Sequence, residues 1–500
     1  MFDWFHAFHD SLPQWLQEFS PVVILLVIVG LIFYRLPTVE VGHDKGFKRR
    51  RLMNWLPLGL TYAFLYMGRY NLKISKFAFE EMKALDDSPL MGNADFGVIF
   101  MWGTIVYGVS FLINGPLTDR LGGRFSILMG AGGAMVLNAL MGLASWSLLH
   151  HGPMFDSLSA HFVVIFSLLY SVNMYFQSFG AVAIVKVNAP WFHVRERGVF
   201  GAIFGILISL GIYFAFDLGD MILTGMGLVW VFFMPAILLG IFWLLDFFIV
   251  RNRPSLAGQE DFNTGDATSG QEGPRMPALK VFMMMARNPI IMTIAAIEFC
   301  SGFLRQSIMQ WFRTFAKQTD VALGLKSSFV YDNWGLLLCI AGITGGVIAG
   351  SISDHAFQSR RGPVAGLLYG VMLAGAVLLV FTYQMPWVGW LVVLMSMAVI
   401  GVHGMLSGTA SMDFGGARNA GIAVGIIDGF VYLGTAVMSG TYALILPDEE
   451  LDAAGRITGA AADPANWRAW PLAMIPMAII GLVLAFRLWN AKPKPKTGSA

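Results

Sequence analysis

Charged residues are scarce in this sequence: Lys, Arg, Asp and Glu make up 13% of its 500 residues, about half the share of roughly 25% in soluble domains. Hydrophobic residues make up 56%, so a soluble fold of this size would have too little charge to cover its surface. The abundance of apolar and aromatic residues also excludes a disordered chain. The net charge of +2 is too small for a dedicated nucleic-acid surface. These shortages leave a membrane protein with many spans.

Cysteine is nearly absent, since only Cys300 and Cys339 occur and both lie inside apolar runs. That excludes a disulfide framework and a CxxC metal motif. The sequence also lacks a GxxxxGK[ST] loop that would cradle phosphates, so ATP hydrolysis is not expected. We therefore expect no catalytic residues, no metal site and no cofactor.

Twelve apolar runs of about 20 residues have the length that spans a hydrocarbon core of roughly 30 Å. They predict an all-α polytopic membrane protein. A shorter run at 21–36 is a candidate for one extra N-terminal membrane helix. The predicted helices, numbered 1 to 12, lie near 53–75, 96–117, 126–149, 160–187, 198–219, 227–250, 289–312, 329–350, 363–383, 387–410, 419–446 and 469–489.

Lysine and arginine are distributed unevenly between the two ends of these helices. If the loop before helix 1 is cytoplasmic, most of the Lys and Arg outside the helices fall on the cytoplasmic side, as the positive-inside rule requires. The sequence thus predicts a multi-pass protein of the plasma (inner) membrane. The N-terminus of its helical core and its C-terminus are expected in the cytoplasm.

One long polar stretch rich in Gly, Pro, Ser, Asp and Glu interrupts the apolar pattern after helix 6 and is typical of a linker. It leaves six helices on each side. The predicted organisation is an N-terminal segment at 1–50, a six-helix bundle at 51–250, the linker at 251–285, a second six-helix bundle at 286–490 and a tail at 491–500.

Two markers indicate that the second bundle repeats the first. Asp119 follows helix 2 and Asp354 follows helix 8, while Arg69 lies in helix 1 and Arg305 in helix 7. The separation along the chain is nearly the same for both pairs. The halves are therefore expected to be parallel repeats, related by an axis along the membrane normal.

The segment after helix 2 reads Gly-x-x-x-Asp-Arg-x-Gly-x-Arg, and it resembles the signature of the major facilitator superfamily. Asp119, Arg120 and Arg124 carry this motif, and Asp354 and Arg361 repeat it in weaker form. An aspartate at a helix end can pair with basic groups or with a neighbouring helix N-terminus. These residues are therefore predicted to latch the two halves during gating. The alternative is a tight charged turn that only obeys the positive-inside rule.

Ionisable groups inside helices are the residues most indicative of function, because each costs a few kcal/mol in the bilayer core. In helix 1, polar residues recur at steps of three and four and so share one face. Glu298 and Arg305 are spaced to share one face of helix 7. The helix 1 face carries Tyr62, Tyr66, Arg69, Lys73 and Lys76.

Arg69 and Arg305 occupy equivalent places in the two halves, so the repeat predicts that they face each other across a central cavity. Two guanidinium forks suit a small tetrahedral dianion such as phosphate, because each can bind it bidentately. In the alternative reading each arginine pairs with a helix carboxylate or snorkels to the interface. Glu298 makes such pairing plausible for Arg305, whereas the core of helix 1 has no acid for Arg69.

The helix 1 sequence Tyr62-x-x-x-Tyr66-x-x-Arg69-x-Asn71 resembles the organophosphate:phosphate antiporter family, which includes glycerol-3-phosphate and hexose-phosphate transporters. The segment around Arg305 and the Gly-rich start of helix 11 resemble the same family, and the resemblance covers about 50–490. It implies the major facilitator fold and exchange of an organic phosphate for inorganic phosphate. It also implies a phosphoryl site formed by Arg69 and Arg305, with Tyr62, Tyr66 and Tyr432 nearby.

The sequence departs from that family at three positions. Phe111 stands where glycerol-phosphate-type members have a lysine in helix 2, and Ile208 stands where they have a histidine in helix 5. Gln310 replaces the usual aspartate after the helix 7 arginine. The sequence therefore supports a phosphate group on the substrate better than it supports any particular organic group.

Other polar residues in the helices are candidates for reshaping specificity, namely Lys73, Lys76, His403 and Asp428. Asp428 is expected to neutralise a lysine, contact a polar substrate or carry a proton; equally, it could make a helix-to-helix hydrogen bond. His403 is compatible with plain packing, although an imidazole titrates near physiological pH. Glu298 is the candidate for coupling.

These observations predict a monomeric secondary transporter surrounded by lipid, with a phosphorylated metabolite and inorganic phosphate as partners and no nucleic acid. Its two bundles would rock around a central site. One alternative is a proton-coupled anion or sugar symporter that uses Glu298 or Asp428. Another is a transporter-like membrane sensor of sugar phosphate.

Overall fold

The computed structural model describes residues 27, 30, 42–84, 88–193, 196–264, 277–357, 361–452 and 457–490, without the side chains of 197–202, 204, 278, 351, 354, 355 and 408–421. The candidate extra helix at 21–36, apart from residues 27 and 30, and the tail at 491–500 lie outside the described residues. So does most of the N-terminal segment and the middle of the linker, 265–276.

Twelve long helices follow one another within these ranges, which confirms the predicted all-α architecture of two six-helix bundles. The first bundle contains α1 Lys45–Phe79, α2 Asn93–Leu121, α3 Gly123–Leu149, α4 Phe162–Asn188, α5 Arg197–Tyr213 and α6 Leu228–Ile249. The second contains α7 Pro289–Gln318, α8 Trp334–Phe357, α9 Arg361–Thr382, α10 Val388–His403, α11 Ser411–Ile445 and α12 Met474–Arg487.

Several short elements extend or connect these helices. A π-helical turn, Phe214–Leu218, and the helix Gly219–Met226 continue α5, and the helix Ala278–Ala286 precedes α7. After α11, β1 Glu450–Leu451 pairs antiparallel with β2 Ile457–Thr458. These strands form a small hairpin outside the helical body.

Two of the long helices, α1 and α7, are less apolar than the others. Among the described residues, nine helices are long and apolar enough to cross a membrane, or ten if α7 and the helix before it, bent by 79°, count as one span. α1 contains the buried cations Arg69, Lys73 and Lys76, and α7 contains Glu298 and Arg305. These two helices have lower hydropathy because they carry the interior charges.

The chain between α10 and α11 differs from the prediction. The predicted loop near 411–418 is helical, because the π-helical segment Gly404–Ala410 leads into α11 at Ser411. No proline occurs between Pro386 and Pro447, so nothing in that stretch removes a backbone donor or forces the helix to end.

We call the face of the helical body that carries the connection between α6 and α7 the linker face, and the opposite face the distal face. α1 ends at the distal face, where the Lys317 ammonium donates to the carbonyl of Phe77 at 3.0 Å. Consecutive helices then alternate in direction. One large hydrophobic cluster runs through both halves.

Close backbone packing joins α2 of the first half to α11 of the second. A Cβ added at Gly429 would lie 3.0 Å from the carbonyl oxygen of Gly108, and one at Gly425 would lie 2.7 Å from that of Phe111. Small residues permit such an approach. The close approach of α2 and α11 therefore depends on glycine at these two positions of α11.

Among the described residues, the close contacts of α5 and the turn after it with glycines of α8 lie toward the distal face. A Cβ at Gly335 would lie 2.8 Å from a carboxylate oxygen of Asp217, and one at Gly342 would lie 2.7 Å from the hydroxyl of Ser209. Further toward the linker face, a Cβ would meet nothing within 4 Å among the described residues at Gly205, Gly346 and Gly350. The two halves are therefore in close contact through α5 and α8 toward the distal face, whereas these three glycines make no close contact among the described residues.

Candidate substrate-binding site

Arg69 lies fully buried in the middle of α1 and joins the two halves. Its Nε donates to Oε1 of Gln177 in α4 at 3.1 Å, and its Nη1 donates to the hydroxyl of Tyr432 in α11 at 2.8 Å. Its backbone carbonyl accepts a hydrogen bond from Tyr170 at 3.0 Å. Nη2 has no hydrogen-bond partner in the described part of the chain.

Aromatic rings, rather than carboxylates, surround this guanidinium. The Arg69 Cζ lies 4.4 Å from the ring centre of Tyr66 and 4.6 Å from that of Tyr107. Tyr107 in turn packs edge-to-face on Tyr432 at 4.2 Å. Ring faces attract cations, so the charge of Arg69 is held without a neutralising acid in contact.

Arg305 in α7 is 6% exposed and has fewer direct contacts. Neither its Nε nor its Nη2 has a hydrogen-bond partner among the described residues. Tyr66, Tyr70 and Tyr432 interact electrostatically with both Arg69 and Arg305. The structure thus places the two arginines around one shared set of tyrosine hydroxyls, with one arginine from each half.

Three guanidinium nitrogens in this region are buried and unpartnered: Nη2 of Arg69 and Nε and Nη2 of Arg305. A buried charged donor without an acceptor is costly. An oxyanion with several oxygens satisfies such donors through short charge-assisted bonds. The arrangement can therefore bind a tetrahedral anion between the two halves.

Of the other residues predicted on helix 1, the two tyrosines lie beside Arg69 and the asparagine does not. The rings of Tyr62 and Tyr66 pack edge-to-face at 5.3 Å, and both are buried. Asn71 donates to Oδ1 of Asn138 in α3 at 2.6 Å. Its side chain therefore points into the first bundle and links its helices.

Lys73 lies one helical turn closer to the distal face than Arg69. Its ammonium donates to the hydroxyl of Thr314 in α7 and lies 4.5 Å from the ring centre of Phe96 and 5.2 Å from that of Trp311. Lys73 is thus a third buried cation, and it also bridges the two halves.

Gln310 takes part in a neutral chain of hydrogen bonds. Its Nε2 donates to Oε1 of Gln306 at 2.9 Å, and Gln306 donates to the hydroxyl of Tyr70 at 2.9 Å. The amide thus orients a tyrosine that lies near both arginines. No sequence pattern had indicated Gln306 or Tyr70 as parts of the site.

Glu298, His403 and Asp428 form what we call the acid cluster, on the linker-face side of Arg305. Oε2 of Glu298 lies 2.8 Å from Nδ1 of His403, and the Asp428 carboxylate accepts a hydrogen bond from Ser407. Asp428 also interacts electrostatically with His403, Glu298 and Arg305. Glu298 and His403, which the sequence indicated separately, therefore contact each other, and Asp428 lies within electrostatic range of both.

The gating motif makes contacts inside the first half. Asp119 pairs with Lys186 of α4 at 2.5 Å, Arg120 is exposed, and the Arg124 guanidinium donates to the carbonyl of Phe247 in α6. These contacts hold the α2–α3 turn against its own bundle.

The repeat of this motif in the second half is only partly described. Arg361 lies half-buried at the start of α9, whereas the side chain of Asp354 lies outside the described residues. The predicted latch between halves at this face stays a prediction.

A buried group of charges closes the distal face, and sequence reasoning did not find it. The Lys76 ammonium lies 2.5 Å from a carboxylate oxygen of Glu80 and 2.7 Å from one of Glu449, and all three side chains are fully buried. Lys317 of α7 also contacts Glu80 at 2.7 Å. These ion pairs connect α1 with α7 and with the segment after α11.

A carboxylate also joins α5 to α8 at this face. Asp217, in the π-helical turn after α5, accepts hydrogen bonds from the backbone N–H groups of Gly335 at 2.6 Å and Leu336 at 2.7 Å. The start of a helix favours an anion. We call these contacts together the distal seal: Lys76, Glu80, Lys317, Glu449, Asp217 and Gly335.

Within the described ranges, no three His, Cys, Asp or Glu side chains come together in a way that could hold a metal ion.

Residues 58–439 match the Major Facilitator Superfamily. The chain belongs to this superfamily and is a multi-pass membrane transporter of that type. A solved bacterial homologue of the human lysosomal transporter Spinster has the same fold, with a TM-score of 0.59 at 14% identity, covering 90% of this chain and 98% of that one.

Curated relatives are similar over most of their length. The glycerol-3-phosphate transporter of Bacillus subtilis is 26% identical, covering 89% of this chain and 94% of its own. A probable hexose phosphate transport protein of Chlamydia pneumoniae is 22% identical, covering 90% and 93%. The membrane sensor protein UhpC of Escherichia coli is 25% identical, covering 81% and 88%. These similarities confirm the resemblance that helix 1 had indicated.

Proposed function

We propose that this transporter exchanges an organic phosphate for inorganic phosphate, with Arg69 and Arg305 binding the phosphoryl group. The observation that carries the proposal is the set of three unpartnered guanidinium nitrogens, one from Arg69 and two from Arg305, buried between the halves. The relatives named as glycerol-3-phosphate and hexose phosphate transporters favour the same substrate class.

Alternating access is supported by the difference between the two faces. The distal seal joins the halves through buried ion pairs, while the glycines of α5 and α8 nearer the linker face have no atom within 4 Å of an added Cβ among the described residues. The Lys and Arg bias supports a cytoplasmic position for the linker face. In this arrangement cytoplasmic phosphate reaches the arginines, and breaking the distal seal would open the same site to the other side.

Obligate exchange follows from the charge of Arg69. Its side-chain hydrogen bonds are to Gln177 and Tyr432, which are both neutral. When the halves close around an empty site, this cation stays unpaired in a low-dielectric interior, which is costly. A bound phosphate supplies the missing charge, so the loaded carrier reorients faster than the empty one.

The test is uptake of labelled phosphate into proteoliposomes that contain either unlabelled phosphate or none. We expect strong stimulation by internal phosphate, competition by external organic phosphates and little response to an imposed pH gradient. Uptake into phosphate-free vesicles driven by a pH gradient would contradict exchange and favour a proton symporter. Phosphate binding without any flux would favour a sensor.

A further inference from the structure

The acid cluster is not needed to bind phosphate, yet it lies beside the arginines. Glu298 precedes Arg305 by seven residues on α7, which is about 10 Å along a helix that rises 1.5 Å per residue. Asp428 precedes Tyr432, the partner of Arg69, by one turn of α11. The cluster therefore lies next to the arginine pair, displaced toward the linker face.

The acid cluster contains more negative than positive charge. Two carboxylates lie near one imidazole, since Glu298 contacts His403 at 2.8 Å and Asp428 interacts electrostatically with both residues. Oε1 of Glu298 is buried and has no hydrogen-bond partner among the described residues. A buried carboxylate oxygen without a donor is costly, so this atom is available to a donor or cation.

Phosphate binding increases this imbalance. Arg305 interacts electrostatically with Glu298 and Asp428, so it offsets part of their charge while no phosphate is bound. Once a dianion occupies the guanidinium groups, the two carboxylates lose that compensation. Lys73 lies on the distal side of Arg69 and is hydrogen-bonded to Thr314, so Lys73 does not take over the compensation that Arg305 provided.

We propose that the acid cluster binds the cationic end of the substrate, so that the organic phosphate carries an ammonium group on a short carbon chain. Its phosphoryl group would contact Arg69 and Arg305, and its ammonium group would contact Asp428 and the free oxygen of Glu298. The phosphoryl half of this inference rests on the proposed function; the ammonium half rests on the acid cluster alone.

The test compares two inhibitors of equal size in phosphate-loaded proteoliposomes. Phosphoethanolamine and propyl phosphate have the same number of non-hydrogen atoms and differ in the ammonium group. We expect phosphoethanolamine to inhibit labelled phosphate exchange at a concentration at least about tenfold lower than propyl phosphate, because it can make an additional charge-assisted hydrogen bond. Equal inhibition by the two compounds would overturn the inference while leaving phosphate exchange established.

Substitutions in the acid cluster test whether its carboxylates cause the preference for phosphoethanolamine. Asp428→Asn and Glu298→Gln should each bring the ratio of the two inhibitory concentrations close to one. Asp246→Asn is the matched control, because Asp246 is another buried carboxylate that accepts from a hydroxyl, Thr61 at 2.7 Å, but it lies within the first bundle. A preference for phosphoethanolamine that survives in both acid-cluster variants would overturn the assignment.

Two other outcomes separate this inference from the proposed function. Absence of any phosphate exchange in the wild-type protein would refute the proposed function itself. Exchange that strengthens on acidification, with no preference between the two inhibitors, would mean that a proton on His403 supplies the positive charge, and it would overturn the ammonium assignment.

Discussion

At the scale of single residues, the contacts of Arg69 depend on the planar, forked shape of its guanidinium group. One nitrogen contacts α4, a second contacts α11, and the third is left for a ligand. A lysine ammonium at the same place is a point charge and does not reproduce these three directions. Arg305 keeps two nitrogens for a ligand on the other side.

Arg69→Lys and Arg305→Lys should therefore weaken phosphate binding although the charge is kept. We expect each to cost about 1.5–3 kcal/mol, or roughly ten- to a hundredfold in affinity, as for loss of a hydrogen bond to a charged group. Isothermal titration or competition binding on the purified protein measures this change.

The matched control for these variants is Arg124→Lys. Arg124 donates to the carbonyl of Phe247 at the linker face, away from the arginine pair, so phosphate affinity should stay near that of the wild type. Wild-type affinity in a well-expressed Arg69→Lys protein would refute the site.

At the scale of helices, glycines decide where the two halves touch. In α8, Gly335 packs against Asp217 of the π-helical turn after α5, while Gly346 on the same helix is exposed and has free space around it. We therefore expect alanine to be tolerated at Gly346 and to be destabilising at Gly335.

Gly335→Ala should destabilise the protein, because the new Cβ would lie 2.8 Å from the Asp217 carboxylate and 3.0 Å from its backbone nitrogen. Overpacking of this kind costs about 1–3 kcal/mol. Gly346→Ala should change stability by less than about 0.5 kcal/mol. Thermal unfolding in one detergent measures both, and equal midpoints would argue against tight packing at Asp217.

At the scale of the whole molecule, the two faces differ in charge and in closure. The linker face carries most of the Lys and Arg residues outside the helices, and toward it Gly205, Gly346 and Gly350 have no atom within 4 Å of an added Cβ among the described residues. The proposed site would open toward the cytoplasm in the orientation that the positive-inside rule predicts.

Labelling intact cells with a membrane-impermeant maleimide checks this orientation. A cysteine at Val321, which is 97% exposed at the distal face, should react, and one at Leu256, 61% exposed in the linker, should react only after lysis. Cys300 and Cys339 are both buried, so background labelling should be low. Reaction at Leu256 but not at Val321 would reverse the orientation.

The sequence by itself determined the class of fold and indicated the two arginines that we propose bind the anion. Low charge and apolar runs of spanning length indicated twelve helices, because the bilayer restricts what can cross it. The repeat related Arg69 to Arg305 without any structure, since equal spacing in parallel repeats means equivalent positions. A buried charge is costly enough that each one in a helix was recognisable from its apolar neighbours.

Only the tertiary structure decided which side chains meet across the halves. Lys76 and Glu449 are 373 residues apart, and Glu449 lies in a loop after α11 where no periodicity constrains its direction. Asn71 is only two residues from Arg69 in the sequence, yet its side chain donates a hydrogen bond to Asn138 inside the first bundle. Helical spacing fixes the face of a residue, whereas the packing of neighbouring helices fixes its partner, and such partners come from distant parts of the chain.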